Sequence, residues 1–247
     1  MRGFLGAVSL LTRIPARGDA EGKTTVPWLP VVGALIGGVC ALVYVAARTV
    51  LSPLASAILA VAAGILLTGA LHEDGLADTA DAFGAGVDRE RTLEILKDPH
   101  HGTYGVLAIV VSVVARIAGV AGMAPWAAVA ALPAAHALGR AAPALLMWLL
   151  PAASDDGLGA RYSERLGRRR AGVAALLGVG AAIALLGAWG VVAAAIAGAL
   201  TAIVGSFAMR RIGGITGDVL GAVEQLVEIG VLLLAAAVGA SIPWWRG

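Results

Sequence analysis

Four carboxylates lie close together in the stretch Leu71–Gly84, which reads LHEDGLADTADAFG. They are Glu73, Asp74, Asp78 and Asp81. The spacing i, i+4 and i+7 of the three aspartates would place them on one face of a helix. Stacked like charges repel one another unless a cation lies among them, and carboxylate oxygens favour Mg²⁺ or Mn²⁺. The stretch therefore predicts a metal site made of these four side chains, which would handle a diphosphate at a membrane surface. The alternative is a solvated acidic cap at a helix end.

A second polar group runs from Lys97 to Gly105 and reads KDPHHGTYG. Backbone N–H groups at the start of a helix favour phosphate, and several side chains here can add to that. The side chains that we expect to bind substrate phosphate are Lys97, His100, His101 and Thr103. The alternative is an interfacial anchor, in which Tyr104 lies in the aromatic belt of the membrane.

A third polar group surrounds Thr216 and Asp218, which stand among several glycines. A tight turn here would present both side chains to a ligand. Asp218 is then a catalytic residue, either as a further metal ligand or as the group that orients a nucleophilic hydroxyl. We expect Thr216 and Glu224 to bind substrate. The alternative is that Asp218 is the N-cap of the last helix.

The composition is that of a membrane protein. The 247 residues have a mean hydropathy of +0.88, 59% are hydrophobic, and only 14% are charged, against about 25% in soluble domains. Apolar runs of about 20 residues recur along the chain. We therefore predict an all-α fold, a polytopic integral membrane helical bundle of about seven transmembrane helices, with residues 1–247 forming one domain. We expect no cleaved signal peptide, and the single cysteine, Cys40, allows no intrachain disulfide.

Seven apolar runs set the predicted spans. A basic, mildly amphipathic segment, residues 1–28, precedes them and lies on the bilayer. The spans are Leu29–Thr49, Leu54–Leu71, Tyr104–Met123, Trp126–Leu150, Ala171–Ala188, Val191–Met209 and Leu226–Ser241. Pro133 and Pro143 are expected to interrupt the fourth span. A turn at Trp189-Gly190 separates the fifth span from the sixth, and polar loops cover Ala152–Arg170 and Arg210–Glu224.

The basic residues orient these spans. With the N-terminus in the cytoplasm, 14 of the 18 basic residues fall on the cytoplasmic side. They are Arg2, Arg13, Arg17, Lys23, Arg89, Arg91, Lys97, Arg161, Arg165, Arg168, Arg169, Arg170, Arg210 and Arg211. Only Arg48 and Arg246 fall near the outer side. The positive-inside rule therefore predicts a cytoplasmic N-terminus and a site that faces the cytoplasm from the cell (inner) membrane.

Two arginines, Arg116 and Arg140, lie inside the third and fourth predicted spans. A charge there costs roughly 3 kcal/mol or more, so it usually faces a cavity or a partner. No acidic residue is predicted at the same depth, so neither arginine is expected to have a carboxylate partner. They either bind a substrate anion in a cavity or bond to backbone carbonyls that Pro133 and Pro143 leave free.

Four motifs in this order resemble the adenosylcobinamide-GDP ribazoletransferase, or cobalamin synthase, family over essentially the whole chain. The motifs are Leu11-Thr12-Arg13-Ile14-Pro15, the run Asp74–Asp81, Lys97-Asp98 with Gly102-Thr103-Tyr104-Gly105, and Thr216-Gly217-Asp218 with Gly221 and Glu224. Two departures are His100-His101, where the family more often has Ser-Arg, and Ala82, where glycine is usual. The first leaves open how positive charge reaches the phosphate there.

The resemblance implies a Mg²⁺-dependent enzyme. Its substrates would be adenosylcobinamide-GDP and α-ribazole or its 5′-phosphate. A ribose hydroxyl attacks the phosphorus nearer the cobinamide, GMP leaves, and adenosylcobalamin or its phosphate forms. Metal ions on the diphosphate would neutralise the developing charge, and Asp81 is our candidate for the group that takes the hydroxyl proton. Arg13 joins the expected substrate-binding residues. Membrane lipid is an expected partner and nucleic acid is not, while a homo-oligomer is left open.

Three other functions fit parts of the sequence. A CDP-alcohol-type phosphotransferase or a prenyltransferase would use the same carboxylates on a lipid diphosphate. A cation-coupled transporter would use them to bind its cargo, but the predicted spans carry no acidic residue at mid-membrane and no inverted repeat is evident. A structural subunit would leave the acidic stretch without a role.

Overall fold

The structure is a computed structural model that describes residues 1–18, 20, 22, 24–154 and 166–239. The secondary-structure elements of the described residues are helices, apart from one isolated β-bridge between Ala152 and Ile215, which confirms the predicted all-α class. The helices are α1 (Arg2–Leu11), a 3₁₀ helix (Val26–Trp28), α2 (Leu29–Ala47), α3 (Pro53–Thr68), α4 (Leu71–Gly84), α5 (Arg89–Ile95), α6 (Thr103–Ala121), α7 (Pro125–Leu149), α8 (Arg168–Leu186), α9 (Ala188–Ile212) and α10 (Gly217–Val238). Most of the predicted loop Ala152–Arg170, and Lys23, Ser241 and Arg246, lie outside the described residues.

Six helical segments are long and apolar enough to cross a membrane. They are Val26–Ala47, α6, α7, α8, α9 and α10. Helices α3 and α4 pass the same test only as a pair, and they are bent by 89° relative to each other. The described chain thus has six spans, or seven if the bent pair is one, in agreement with the prediction of about seven. The protein is a multi-pass membrane protein.

The bend between α3 and α4 comes from two consecutive residues in the left-handed region. Gly69 has φ +69° and Ala70 has φ +59°. Glycine adopts this conformation freely, whereas alanine is strained in it. The Arg13 side chain packs against Gly69, where an added Cβ would strike its guanidinium. As a result, the acidic stretch forms a separate helix, α4, as the spacing of its aspartates predicted.

Close contact between α4 and α10 depends on Gly75. A Cβ added there would lie 2.9 Å from the backbone oxygen of Asp218. On the other side of the contact, a Cβ at Gly221 would lie 3.4 Å from Cα atoms of Gly75 and His72. The two helices therefore meet backbone to backbone, which brings the acidic stretch beside Asp218.

Helix α7 is the centre of the bundle and packs against α2, α8, α9 and α10. It runs unbroken from Pro125 to Leu149, so the prediction that Pro133 and Pro143 interrupt this span is wrong. Surrounding helices can compensate for the hydrogen bonds that proline removes within a membrane bundle. Gly33 and Gly37 of α2 let its backbone approach α7 at His136 and Leu132.

The last two helices differ most from the prediction. Helix α9 continues to Ile212 and α10 begins at Gly217, so the predicted loop Arg210–Glu224 is mostly helical. The turn before α9 lies at Gly187, which has φ +60°, and not at Trp189-Gly190. Because α10 starts at Gly217 and not at Leu226, Asp218, Glu224 and Glu228 lie on one helix.

Candidate active site

Three carboxylates from two helices lie near one another at one end of the bundle. Asp74 and Asp78 are one turn apart on α4, and Asp218 lies in the first turn of α10. The charges of Asp74 and Asp218 both act on Asp78, and that of Asp74 also acts on Asp218. His101 lies beside this group, with Nε2 3.6 Å from Asp74 Oδ1 and Nδ1 3.2 Å from Asp78 Oδ1. We call these four residues the acidic group.

Asp218 is held in place by the start of its own helix. The Thr216 hydroxyl donates a hydrogen bond to Asp218 Oδ2 at 3.2 Å and accepts one from the Val219 N–H at 3.4 Å. Thr216 is therefore the N-cap of α10, so the alternative that Asp218 fills this role is wrong. Asp218 remains available to face α4.

Asp81 has both of its oxygens engaged by the start of α6. Its Oδ2 accepts a hydrogen bond from Gly102 N–H at 2.7 Å, and its Oδ1 accepts one from Gly105 N–H at 2.9 Å. A Cβ on either glycine would collide with this carboxylate. Asp81 thus caps α6 and fixes the segment that carries His101 against α4.

Glu73 points into the bundle, where it is 5% exposed. Its Oε1 lies 2.9 Å from Arg116 Nη2 and accepts a hydrogen bond from Gln225 Nε2 at 3.5 Å. Gln225 Oε1 in turn accepts a hydrogen bond from the Ser112 hydroxyl at 2.9 Å. Glu73 is therefore buried beside Arg116, while the acidic group lies at the rim.

The second arginine, Arg140, lies at the centre of a buried polar cluster. Its Nη1 donates to Glu228 Oε2 at 2.8 Å, lies 2.6 Å from His136 Nδ1 and forms an ion pair with Glu224. Glu228 Oε1 also lies 3.5 Å from Arg116 Nη1. The expectation that both arginines lack carboxylate partners is therefore wrong, as is the expectation that no acidic residue lies within the spans.

The buried cluster has little room for a metal ion. Ligand atoms of His136, Glu224 and Glu228 lie within 4.8 Å of one another. However, Arg140 Nη1 contacts all three side chains. A guanidinium supplies the positive charge that a metal ion would otherwise bring, so these three side chains already have a cation among them.

A cavity of about 140 Å³ joins the acidic group to the buried cluster. It lies between α1, α2, α4, α7 and α10, and its polar wall consists of His72, Asp74, Arg140 and Asp218. Two buried atoms of these side chains, His72 Nδ1 and Arg140 Nε, have no hydrogen-bond partner among the described residues. Buried polar atoms are usually satisfied, so these two are exceptions within the site.

The other predicted residues lie outside this cavity. Arg13 lies at the α3–α4 bend, where its N–H donates to Leu67 O at 2.8 Å. Lys97 lines a separate shallow pocket on α5 with Arg89 and Glu94. His100 is exposed, and its hydrogen bonds hold the pKa of the Asp98 carboxyl below its usual value. Thr103 is the exposed first residue of α6.

Sequence reasoning missed two residues of the site, His72 and Glu228. His72 directly precedes Glu73, and its Nδ1 lies 3.6 Å from Glu224 Oε2. Glu228 follows Glu224 by four residues, so the two share one helix face. The four-residue spacing of Glu224 and Glu228 could have revealed Glu228. It was overlooked because the last span was predicted to begin at Leu226, after Glu224.

Comparison with known proteins identifies the family. A family model described as cobalamin-5-phosphate synthase matches residues 3–236. An adenosylcobinamide-GDP ribazoletransferase of Bradyrhizobium diazoefficiens is 45% identical over 90% of this chain and 86% of its own length. The enzyme of the same name from Chlorobaculum tepidum is 40% identical over 96% of this chain and 95% of its own length. The one from Vibrio cholerae is 36% identical over 95% of this chain and 93% of its own length. No solved structure matches. These matches confirm the resemblance found in the motifs: the chain belongs to the cobalamin-5-phosphate synthase family.

Proposed function

We propose that this chain is an adenosylcobinamide-GDP ribazoletransferase whose reaction takes place in the cavity between α4, α7 and α10. The activity is the one named for its relatives. A hydroxyl of α-ribazole, or of its 5′-phosphate, forms a bond to the phosphorus attached to cobinamide. The bond from that phosphorus to the GMP oxygen breaks, and the hydroxyl loses its proton. One observation carries the assignment of the site: a rim of carboxylates and a buried, oriented arginine meet in one cavity.

Asp74 and Asp78 are the residues that we assign to Mg²⁺. Mg²⁺ commonly takes one or two carboxylates from the protein and fills its other positions with water and substrate phosphate. The acidic group fits this ion, since three carboxylates face a single imidazole there. When bound, Mg²⁺ would neutralise charge on the diphosphate as GMP leaves.

Asp218 is the residue that we assign to take the proton from the attacking hydroxyl. It lines the cavity opposite α4, and the hydroxyl of Thr216 holds one of its oxygens. A proton acceptor must lie within hydrogen-bond reach of the reacting group. Asp81 fits this role less well, because the N–H groups of Gly102 and Gly105 already occupy both of its oxygens.

Arg140 and His72 are assigned to binding the diphosphate and the ribose. Arg140 is anchored through Nη1 by Glu224 and Glu228, while its Nε has no hydrogen-bond partner in the described part of the chain. An arginine that is already oriented loses little freedom on binding a phosphate. Glu73 and Gln225 hold Arg116 beside this cluster, so we assign them to positioning.

We further propose that the site faces the cytoplasm and that the chain is one domain. The excess of basic residues in the segments on that side supports the orientation. The shared packing of α2, α8, α9 and α10 on α7 supports a single domain. In this orientation the nucleotide substrates reach the site directly from the cytoplasm, where nucleotides are made.

The test of the function is turnover by the purified protein. Adenosylcobinamide-GDP and α-ribazole 5′-phosphate are supplied in liposomes, and the release of GMP and formation of the corrinoid product are followed. We expect one GMP for each product molecule, only when both substrates and Mg²⁺ are present. Absence of release from folded protein would overturn the proposal, and release of CMP from a CDP-activated lipid instead would support the lipid phosphotransferase.

A further inference from the structure

The cavity has an apolar wall that the chemistry at the phosphate does not use. Its most deeply buried side chains are Leu11, Leu29, Met147 and Leu220, each no more than 6% exposed. They come from four different helices, α1, α2, α7 and α10. Leu10 and Leu71 flank them, and Leu71 is 39% exposed. We call the four buried residues the apolar wall.

We propose that the apolar wall is the binding site of the aromatic base of α-ribazole, and so determines which ribosides the enzyme accepts. This inference rests on the proposed function. The base is a benzimidazole with two methyl groups, which is flat and almost wholly apolar. The polar wall, with Asp74 and Asp218, lies in the same cavity. A riboside seated with its base against the apolar wall therefore has its ribose directed towards the reacting groups.

The other parts of the two substrates fit this wall poorly. Guanine carries a carbonyl, an amino group and a ring N–H, and burying them against leucine and methionine without hydrogen bonds is unfavourable. The corrin ring is far larger than a cavity of about 140 Å³. A buried apolar cavity of about 150 Å³ holds one benzene ring, so a flat aromatic base is the substrate part nearest to this apolar wall in size and chemistry.

Met147 is the side chain through which the wall is best tested. A methionine adapts to flat ligands and makes favourable sulfur–aromatic contacts. It is 6% exposed and lines the cavity. Met123 offers a matched control, because it is 4% exposed and does not line the cavity.

The experiment compares three ribosides in the GMP-release assay: α-ribazole, the riboside of unsubstituted benzimidazole, and a riboside with a third fused ring. Wild-type protein should prefer α-ribazole over the unsubstituted compound by about tenfold or more in kcat/KM, since methyl groups in an apolar pocket discriminate to that extent. Met147→Ala should remove most of this preference and improve use of the three-ring compound relative to α-ribazole. The KM for adenosylcobinamide-GDP should not change.

Controls separate this proposal from the proposed function. Met123→Ala should keep the wild-type order of the ribosides. If Met147→Ala does not fold, Met147→Leu should still shift the ratio between the two-ring and three-ring compounds. GMP release with an unchanged ratio in the folded Met147 variants would overturn the base-binding site while leaving the function intact. No release from wild-type protein would refute the function itself.

Discussion

Individual residues next to one another in the acidic stretch have different tasks. Asp74 and Asp78 lie at the rim beside His101, whereas Glu73 lies buried against Arg116. Asp81 caps α6. The sequence predicted a helix with aspartates on one face, which is confirmed. It could not predict these separate environments, because the partners come from other parts of the chain: Glu73 and Gln225, for example, are 152 residues apart.

Glu228 is expected to be the most important carboxylate for stability. It lies within 4 Å of Arg116, Arg140 and His136. Glu228→Gln removes a carboxylate that contacts both buried guanidiniums, which should lower the free energy of unfolding by roughly 3–5 kcal/mol. Thermal unfolding in detergent measures this loss. The control is Glu94→Gln, whose exposed pair with Arg91 should contribute less than about 1 kcal/mol.

The buried cluster contains more negative than positive side chains. Three carboxylates, Glu73, Glu224 and Glu228, accompany two guanidiniums. Removing the charge of either Glu224 or Glu228 would make the numbers equal, but Glu224 pairs with one guanidinium, that of Arg140, whereas Glu228 contacts both. The cost of Glu224→Gln should therefore be smaller than that of Glu228→Gln in the same unfolding experiment. An equal or larger loss of stability for Glu224→Gln would contradict this account of the cluster.

Asp78 and Asp81 should respond differently to Mg²⁺. Asp78→Asn removes a proposed ligand, so the Mg²⁺ concentration for half-maximal GMP release should rise at least tenfold. Asp81→Asn weakens the cap of α6 and should cost about 1 kcal/mol of stability without a comparable change in the Mg²⁺ requirement. Titration of activity with Mg²⁺ distinguishes the two. A large rise for Asp81→Asn would return Asp81 to the metal site.

At the scale of the helices, the site depends on the bend at Gly69-Ala70 and on the contact between α4 and α10. The bend turns α4 by 89° from α3, and Gly75 then lets α4 meet the backbone of Asp218. The apolar runs predicted where most of the spans lie. They did not predict the bend, because a left-handed alanine has no sequence signature, and they did not show that α7 continues through Pro133 and Pro143.

Gly75→Ala tests the contact between these helices. The added Cβ would lie 2.9 Å from Asp218 O, so α4 and α10 must move apart. A displacement of about 1 Å at an active site can reduce turnover roughly a hundredfold, and we expect a loss of that order in kcat for GMP release. Gly180→Ala is the control, since its Cβ would meet nothing within 4 Å. Full activity in Gly75→Ala would show that the contact does not position the site.

At the scale of the whole molecule, charge decides which side of the membrane the cavity opens to. The described helices form one bundle around α7, with the acidic group at one end of it. The segments that join α4 to α6 carry Arg89, Arg91 and Lys97. The predicted orientation therefore puts these segments and the cavity in the cytoplasm.

Cysteine labelling tests the orientation. Cys40, the only cysteine, is buried and is first replaced by serine. Single cysteines are then introduced as Thr49→Cys, in the exposed α2–α3 connection, and Glu90→Cys, on exposed α5. A maleimide that cannot cross membranes should label position 49 in intact cells and position 90 only after the cells are opened. The reverse pattern would place the cavity outside.

We propose that the acidic group holds the Mg²⁺ on which transfer depends. The most direct test is GMP release from adenosylcobinamide-GDP and α-ribazole 5′-phosphate by wild-type protein and by Asp78→Ala, with Glu94→Gln as the folded control. We expect Mg²⁺-dependent release from wild type and control. In Asp78→Ala the rate of GMP release at saturating substrate should fall at least about a hundredfold, because removing one essential electrostatic contact to a transition state has an effect of that size. Mg²⁺-dependent release that survives in Asp78→Ala would contradict the claim and move the metal site away from α4.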